Sequence, residues 1–144
     1  MENTIAKQLA FLNQMMKEMD KIYHIYARQH GLSDTHLWLM YSLYEGEAGT
    51  QREICSAWHY PPQTINSALK SLERRGLIQL AEIPGNRKNK RVALTEQGME
   101  FSREVILPLI LAEQKAFQRL AEEERGALVA LTSKYVDLLQ TEIL

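Results

Sequence analysis

Six consecutive residues, Asn86-Arg87-Lys88-Asn89-Lys90-Arg91, carry four cations and no carboxylate. Like charges this close repel one another, so a folded domain gains little from them unless a partner supplies the opposite sign. A phosphate backbone supplies it, and the narrow minor groove of duplex DNA concentrates it further. Upstream lies a second set able to do chemistry: Pro62, Gln63, Thr64, Asn66, Ser67, Lys70 and Ser71. Short amides and hydroxyls both donate and accept. Gln and Asn can bond adenine through two atoms at once, while hydroxyls contact bases or phosphates. Taken alone, such a set is also what an ordinary solvated helix face displays. The basic run that follows it shifts the balance toward nucleic acid.

The overall charge points the other way, since the 144-residue chain is −1 at neutral pH. Affinity for phosphate depends on where charge sits rather than on the total. Between Gln63 and Arg91 there are seven cations (Lys70, Arg74, Arg75, Arg87, Lys88, Lys90, Arg91) against Glu73 and Glu82, a local excess of +5. The remaining residues therefore carry −6. Other chemistries find little support. No glycine-rich phosphate loop and no nucleophile with a base beside it is visible, so an enzyme is not expected. The histidines, His24, His30, His36 and His59, contain no i, i+4 pair, and neither a metal nor a cofactor is expected. Cys55 is the single cysteine. It cannot close an internal disulfide, which fits a reducing cytoplasm, and it reads as a small buried core residue rather than a redox switch. No apolar run is long enough to span a bilayer, so no membrane partner is expected.

The elements that must position these residues follow from periodicity. Ile5, Leu9, Leu12, Met16, Met19 and Tyr23, widened by Met15, Ile22 and Tyr26, predict a long helix from about Asn3 to Gln29, closed by Gly31. Ser33 or Asp34 caps a second helix with Leu37, Trp38, Met40, Tyr41 and Tyr44 inward, ending near Gly46. Thr50 and Glu53 form a capping box for a short third helix with Ile54, Cys55 and Trp58 inward. Tyr60-Pro61-Pro62 interrupts it and starts a fourth, whose Ile65, Ala68, Leu69 and Leu72 make an i, i+3, i+4, i+7 stripe. The period then changes to two in Ile78–Ile83 and Arg91–Leu94, joined by the turn Pro84-Gly85-Asn86. The expectation is a hairpin with the basic run at its tip. Thr95 caps a helix from about Gln97 to Leu120, kinked at Pro108, and Glu122–Glu124 open a last helix through Leu139.

This is the order of a winged helix-turn-helix: mainly α, with a small β-hairpin wing, in which the fourth helix would enter the major groove. The segments Thr50-Gln51-Arg52-Glu53-Ile54, Pro62-Gln63-Thr64-Ile65-Asn66, Leu72-Glu73-Arg74-Arg75-Gly76-Leu77-Ile78 and Arg91-Val92-Ala93-Leu94-Thr95-Glu96-Gln97-Gly98 resemble the MarR family of multiple antibiotic resistance regulators. The resemblance covers essentially the whole chain. It implies a single domain over 1–144, with a DNA-binding unit at 32–95 and dimerisation helices at 1–31 and 97–144. It further implies a homodimeric transcriptional regulator, a repressor on double-stranded DNA with a pseudo-palindromic operator. The recognition helix would use Pro62, Gln63, Thr64, Asn66, Ser67 and Lys70, and the wing Arg87, Lys88, Lys90 and Arg91. One departure stands out. The family's wing usually carries Asp-x-Arg, an ion pair bracing the tip; here the matching residues are Asn86, Arg87 and Lys88, so no such pair can form and Arg87 shares the minor-groove role.

The dimer has independent support, because the first and last helices are apolar on too many sides for a small monomer, and Val105, Ile106, Leu107, Leu109, Ile110 and Leu111 are nearly continuous. The family resemblance also implies a small effector, often an aromatic anion. Candidates are Tyr23, Tyr26, His36 and Trp38, with Arg28 to offset a carboxylate. Each is equally at home as a plain core or surface residue. The rival functional reading is a winged-helix module that binds protein and no longer binds DNA.

Overall fold

The computed structural model describes residues 3–46 and 49–144. The element order is α1 (Thr4–Gln29), α2 (Asp34–Glu45), α3 (Gln51–Trp58), α4 (Pro62–Arg74), β1 (Ile78–Ile83), β2 (Asn86–Leu94), α5 (Glu96–Gln118) and α6 (Glu122–Ile143). It forms two compact units: everything through Ile106, and Leu107–Leu144.

In the first unit the helix ends are set by side chains that satisfy free backbone groups. Asn3 accepts the amide of Ala6, Ser33 that of His36 and Thr50 that of Glu53. The carboxylate of Glu53 bonds the amide of Gly49 rather than that of Thr50, so the expected capping box is shifted by one residue at its return arm. Thr50 itself stands opposite Arg91 in an isolated antiparallel bridge. α1 and α4 end in the same way. Gly31 (φ +70°) and Gly76 (φ +79°) take the left-handed conformation. Their amides and those of Leu32 and Leu77 return to carbonyls in the last turn, the Schellman arrangement.

The core of this unit is built from Leu32, Leu37, Leu39, Met40, Ile54, Leu77, Ile78, Val92 and the full predicted stripe of α4, Ile65, Ala68, Leu69 and Leu72. Each fully buried aliphatic side chain there contributes about 1.5–3 kcal/mol relative to exposure. α2 buries Leu39 and Ser42, which the sequence reading left out, while Trp38, Tyr41 and Tyr44 are half-buried. Ser42 is inward because its hydroxyl accepts the indole N–H of Trp58 at 2.6 Å. Cys55, expected in the core, is half-buried, because the short α3 turns only Ile54 fully inward.

β1 and β2 pair antiparallel from Ile78↔Leu94 to Glu82↔Lys90, and then Ile83 pairs with Asn86. The chain turns at Pro84-Gly85, with Gly85 at φ +79°. Two corrections to the predicted hairpin follow. The second strand starts at Asn86 rather than Arg91, and the basic run lies along it, with Arg87, Lys88 and Asn89 looped out where the register shifts. The side chain of Asn86 produces that loop by accepting the amides of Lys88 (3.2 Å) and Asn89 (3.1 Å). At its root the hairpin joins α3, with the amide of Val92 donating to the carbonyl of Gly49 at 2.8 Å.

The start of α5 is the tightest junction. Thr95 accepts the amide of Gly98 and its hydroxyl donates to the carbonyl of Gly76, while its own amide donates to Leu77. A Cβ on Gly98 would lie 1.9 Å from the Leu77 carbonyl oxygen. Arg75 adds a second link, donating to the Gly31 carbonyl at 3.2 Å and lying 6.0 Å from the ring centre of Phe101.

In the second unit, Pro108 lies within α5, where it removes one helix hydrogen bond. Glu124 reaches back to the amide of Ala121, and Arg125 donates to the carbonyl of Leu120, fixing the turn into α6. α6 runs past the predicted Leu139 and has no buried residue. No helix among the described residues is long and apolar enough to cross a membrane.

Gly98→Ala should lower stability by about 1–3 kcal/mol or more, since the clash is with backbone, and urea unfolding should show it. His36 gives a pH test. Burial, and secondarily the charge of Arg75, hold its pKa below the ordinary 6.5. A histidine depressed in the folded state stabilises fully above the unfolded value, and that contribution is lost as pH falls toward the folded one. The unfolding midpoint should therefore fall on acidification below pH 6.5, and His36→Gln should fall less across that window.

Candidate nucleic-acid interface

On α4 the buried stripe leaves Pro62, Gln63, Thr64, Asn66, Ser67 and Lys70 all exposed. Proline in the first helical turn needs no amide partner, so the helix starts at once after Pro61 without a side-chain cap. The reversal before it depends on His59, the one non-glycine residue at positive φ (+56°) among the described residues. The polar set therefore forms one outward face at the N-terminal half of a helix whose other face is locked in the core.

The wing set divides. Arg87, Lys88 and Arg91 are exposed, whereas Lys90 is half-buried and stands opposite Glu82 in register. An opposite-charge pair across a ladder offsets part of the Lys90 charge. Arg87 and Lys88 are in the looped-out segment held by Asn86. Neutral Asn86 thus braces the wing through two backbone hydrogen bonds, where an ion pair was expected to be missing.

Recognition-helix and wing candidates, far apart in sequence, share one shallow cavity of about 190 Å³. Pro62 and Asn66 of α4 line it with Gln51 and Cys55 of α3 and Lys88 and Asn89 of β2. α3 supplies the links. The Gln51 side-chain amide donates to Asn66 Oδ1 at 3.0 Å, and the Arg52 backbone amide donates to Asn89 Oδ1 at 3.1 Å. Sequence reasoning missed Gln51, Arg52 and Asn89 as part of this surface. The available signal was their amide and cationic chemistry in the first turn of α3 and within the basic run. These partners lie 15 and 37 residues apart, beyond any helical or strand period.

The effector candidates do not converge. Tyr23 and Trp38 do meet, with ring centres 4.9 Å apart, and Trp38 also stacks on Trp58 at 5.4 Å. They line a cavity of about 250 Å³ with Asp20, His24, Asp34 and Tyr60. His24 Nδ1 lies 2.9 Å from Asp34. Burial, and then the negative charge of Asp34, raise the Tyr60 phenol pKa. Tyr26 is elsewhere, donating to the Val105 carbonyl at 2.6 Å and packing on His30, its phenol pKa also raised by burial. His36 feels Arg75, and Arg28 is exposed and lines neither cavity described here. The ionisable lining beside Tyr23 and Trp38 is acidic, not cationic.

Residues 30–88 match the model of the MarR family. No match is found among curated protein sequences. Among solved structures, a MarR family regulator from Neisseria meningitidis superposes with a TM-score of 0.79 at 22% identity, covering 94% of this chain and 96% of that one. The MepR–DNA complex of Staphylococcus aureus gives 0.76 at 22%, covering 96% and 99%. MepR described as a transcription regulator of the S. aureus multidrug efflux pump MepA gives 0.64 at 25%, covering 90% and 97%. At such identities the superpositions speak for the fold, and the matched segment speaks for the sequence. By that segment and that fold together, residues 30–88 resemble the MarR family, and the chain has the winged-helix fold seen in MarR family regulators.

Proposed function

We propose that this chain is a sequence-specific DNA-binding transcriptional regulator: a homodimeric, cytoplasmic repressor that grips a pseudo-palindromic operator and is released by a small ligand. One observation carries the reading. Pro62 and Asn66 on the exposed face of α4 and the exposed wing cation Lys88 border the same cavity, and the wing lies in the stretch that holds the chain's +5 excess. A major-groove helix flanked by a minor-groove cation needs that juxtaposition. The DNA complex of the similarly folded MepR supports it. In this reading residues 32–95 read DNA, with Gln63, Thr64, Asn66, Ser67 and Lys70 toward the bases. Pro62 starts the helix against the groove, and Arg87, Lys88, Lys90 and Arg91 face phosphates or the minor groove.

Residues 1–31 and 97–144 serve as dimerisation segments. Support comes from apolar side chains left uncovered in the single chain: Ile5, Phe11 and Ile22 in α1, and Val129, Leu131 and Ile143 in α6 are each at least 60% exposed. A second copy is the cover that a symmetric assembly provides. For the effector, the cavity beside Tyr23 and Trp38 suits a small aromatic molecule, and its carboxylates disfavour the anionic kind.

Duplex DNA from upstream of the gene should bind in an anisotropy titration, with affinity falling steeply as salt rises, because phosphate contacts release counterions. Arg87→Ala should weaken binding to all sequences and flatten the salt slope by about one unit. Salt-insensitive or absent binding would instead favour the protein-binding module. Sedimentation equilibrium should give twice 16.6 kDa, and Leu131→Asp combined with Val129→Asp should shift the mass toward that of one chain.

A further inference from the structure

Tyr23, Trp38 and Tyr60 border the cavity of about 250 Å³ together with Asp20, His24 and Asp34. Its rings stand as walls rather than as one flat stack. Tyr23 and Trp38 meet at 47° with centres 4.9 Å apart, and Trp38 is backed by Trp58 at 5.4 Å. The face of an aromatic ring carries negative charge density and attracts a cation, tryptophan most strongly. The carboxylates act in the same sense. Among the described residues no lysine or arginine borders the cavity. His24 is engaged by Asp34, its Nδ1 lying 2.9 Å and 3.1 Å from the two carboxylate oxygens. In the neutral imidazole that donation leaves the pair a full negative charge. Asp34 is felt at Tyr60, whose phenol pKa is raised by burial and then by that charge. A metal ion is a poor guest here. Hard cations need several oxygen ligands, and the described residues contain no group of three His, Cys, Asp or Glu that could hold one.

We propose that this cavity binds a small organic cation, a protonated aryl amine or a quaternary ammonium group seated against Tyr23, Trp38 and Tyr60 with Asp20 and Asp34 balancing its charge. Resting on the ligand-release reading above, this gives the ligand its class, opposite in sign to the aromatic anion that the family resemblance implies. The rings supply the contact area, and the carboxylates supply selectivity over uncharged molecules of the same shape. Tyr60 stands two residues before Pro62, the first residue of α4, so the site adjoins the reading helix along the chain.

The test titrates the full chain, without DNA and at matched ionic strength, with phenyltrimethylammonium, its uncharged isostere tert-butylbenzene, and benzoate. Tryptophan emission reads binding, since Trp38 lines the cavity. Phenyltrimethylammonium should saturate and bind about tenfold tighter than tert-butylbenzene, with benzoate weaker than either. Asp20→Asn combined with Asp34→Asn should remove that advantage of the cation while leaving tert-butylbenzene unchanged. Tyr60→Leu should weaken the cation by about tenfold. Thermal melts followed by circular dichroism check folding, and Asp20→Asn alone, at an exposed position, carries the test if the double variant unfolds. Equal affinity for the cation and its isostere, tighter binding of benzoate, or a cation affinity untouched by the carboxylate variants overturns the assignment. The same cation is then added to the anisotropy titration with DNA. If it binds with the expected variant pattern and leaves the DNA affinity unchanged, the site stands and ligand release fails. If no DNA binds at all, the DNA-binding reading fails while the site stands on its own titration.

Discussion

The carbonyl group of Leu77 is the point on which the rest of the reading unit depends. It accepts the amide of Thr95 at 3.1 Å, and the Cα of Gly98 is pressed close enough that a methyl group there would overlap the oxygen. Three elements converge on it. α4 leaves its Schellman turn at Gly76 and Leu77, the hairpin begins at Ile78 and ends at Leu94, and α5 begins at Glu96. A backbone contact this close cannot be loosened by repacking side chains, so the angle between recognition helix and wing is set by main-chain geometry. Both glycines flanking it answer a steric demand: Gly76 takes a left-handed backbone, and Gly98 leaves room for the Leu77 oxygen.

Local periodicity made much of this legible. The α4 stripe, the Ser33 and Thr50 caps, the glycine terminators and the hairpin's first strand follow from spacings of two, three and four residues and from the conformational ranges of Gly and Pro. What escaped was fixed by partners distant in sequence. Ser42 is inward because Trp58, 16 residues away, donates to it. Asn89 reads as one more polar residue in a basic run until α3 is seen bonding it. Charge and turn residues mark loops on average and so point to a tip for the basic run, whereas its Asn86-held loop lies inside a strand. The effector candidates were chosen by side-chain type, and type does not bring Tyr26 or Arg28 to the place where Tyr23 and Trp38 meet.

Charge tells the same story at another scale. A chain with a total of −1 places its positive excess on one stretch and its negative excess on the rest. Such polarity orients a molecule in the field of an anionic polymer before any contact forms. α3 then has a double role: its first turn links the polar face of α4 to the wing, through one side-chain and one backbone hydrogen bond.

Trp38 and Trp58 are the only tryptophans in the sequence, and their rings stack 5.4 Å apart within the first unit. The near-ultraviolet optics of the protein therefore arise largely from one coupled pair, tethered at Trp58 by the Ser42 hydroxyl and flanked by Tyr23 and Tyr41. Emission and exciton signals belong to that cluster. The molecule carries a natural spectroscopic label, placed on the side of α2 and α3 where α1 meets the reading head.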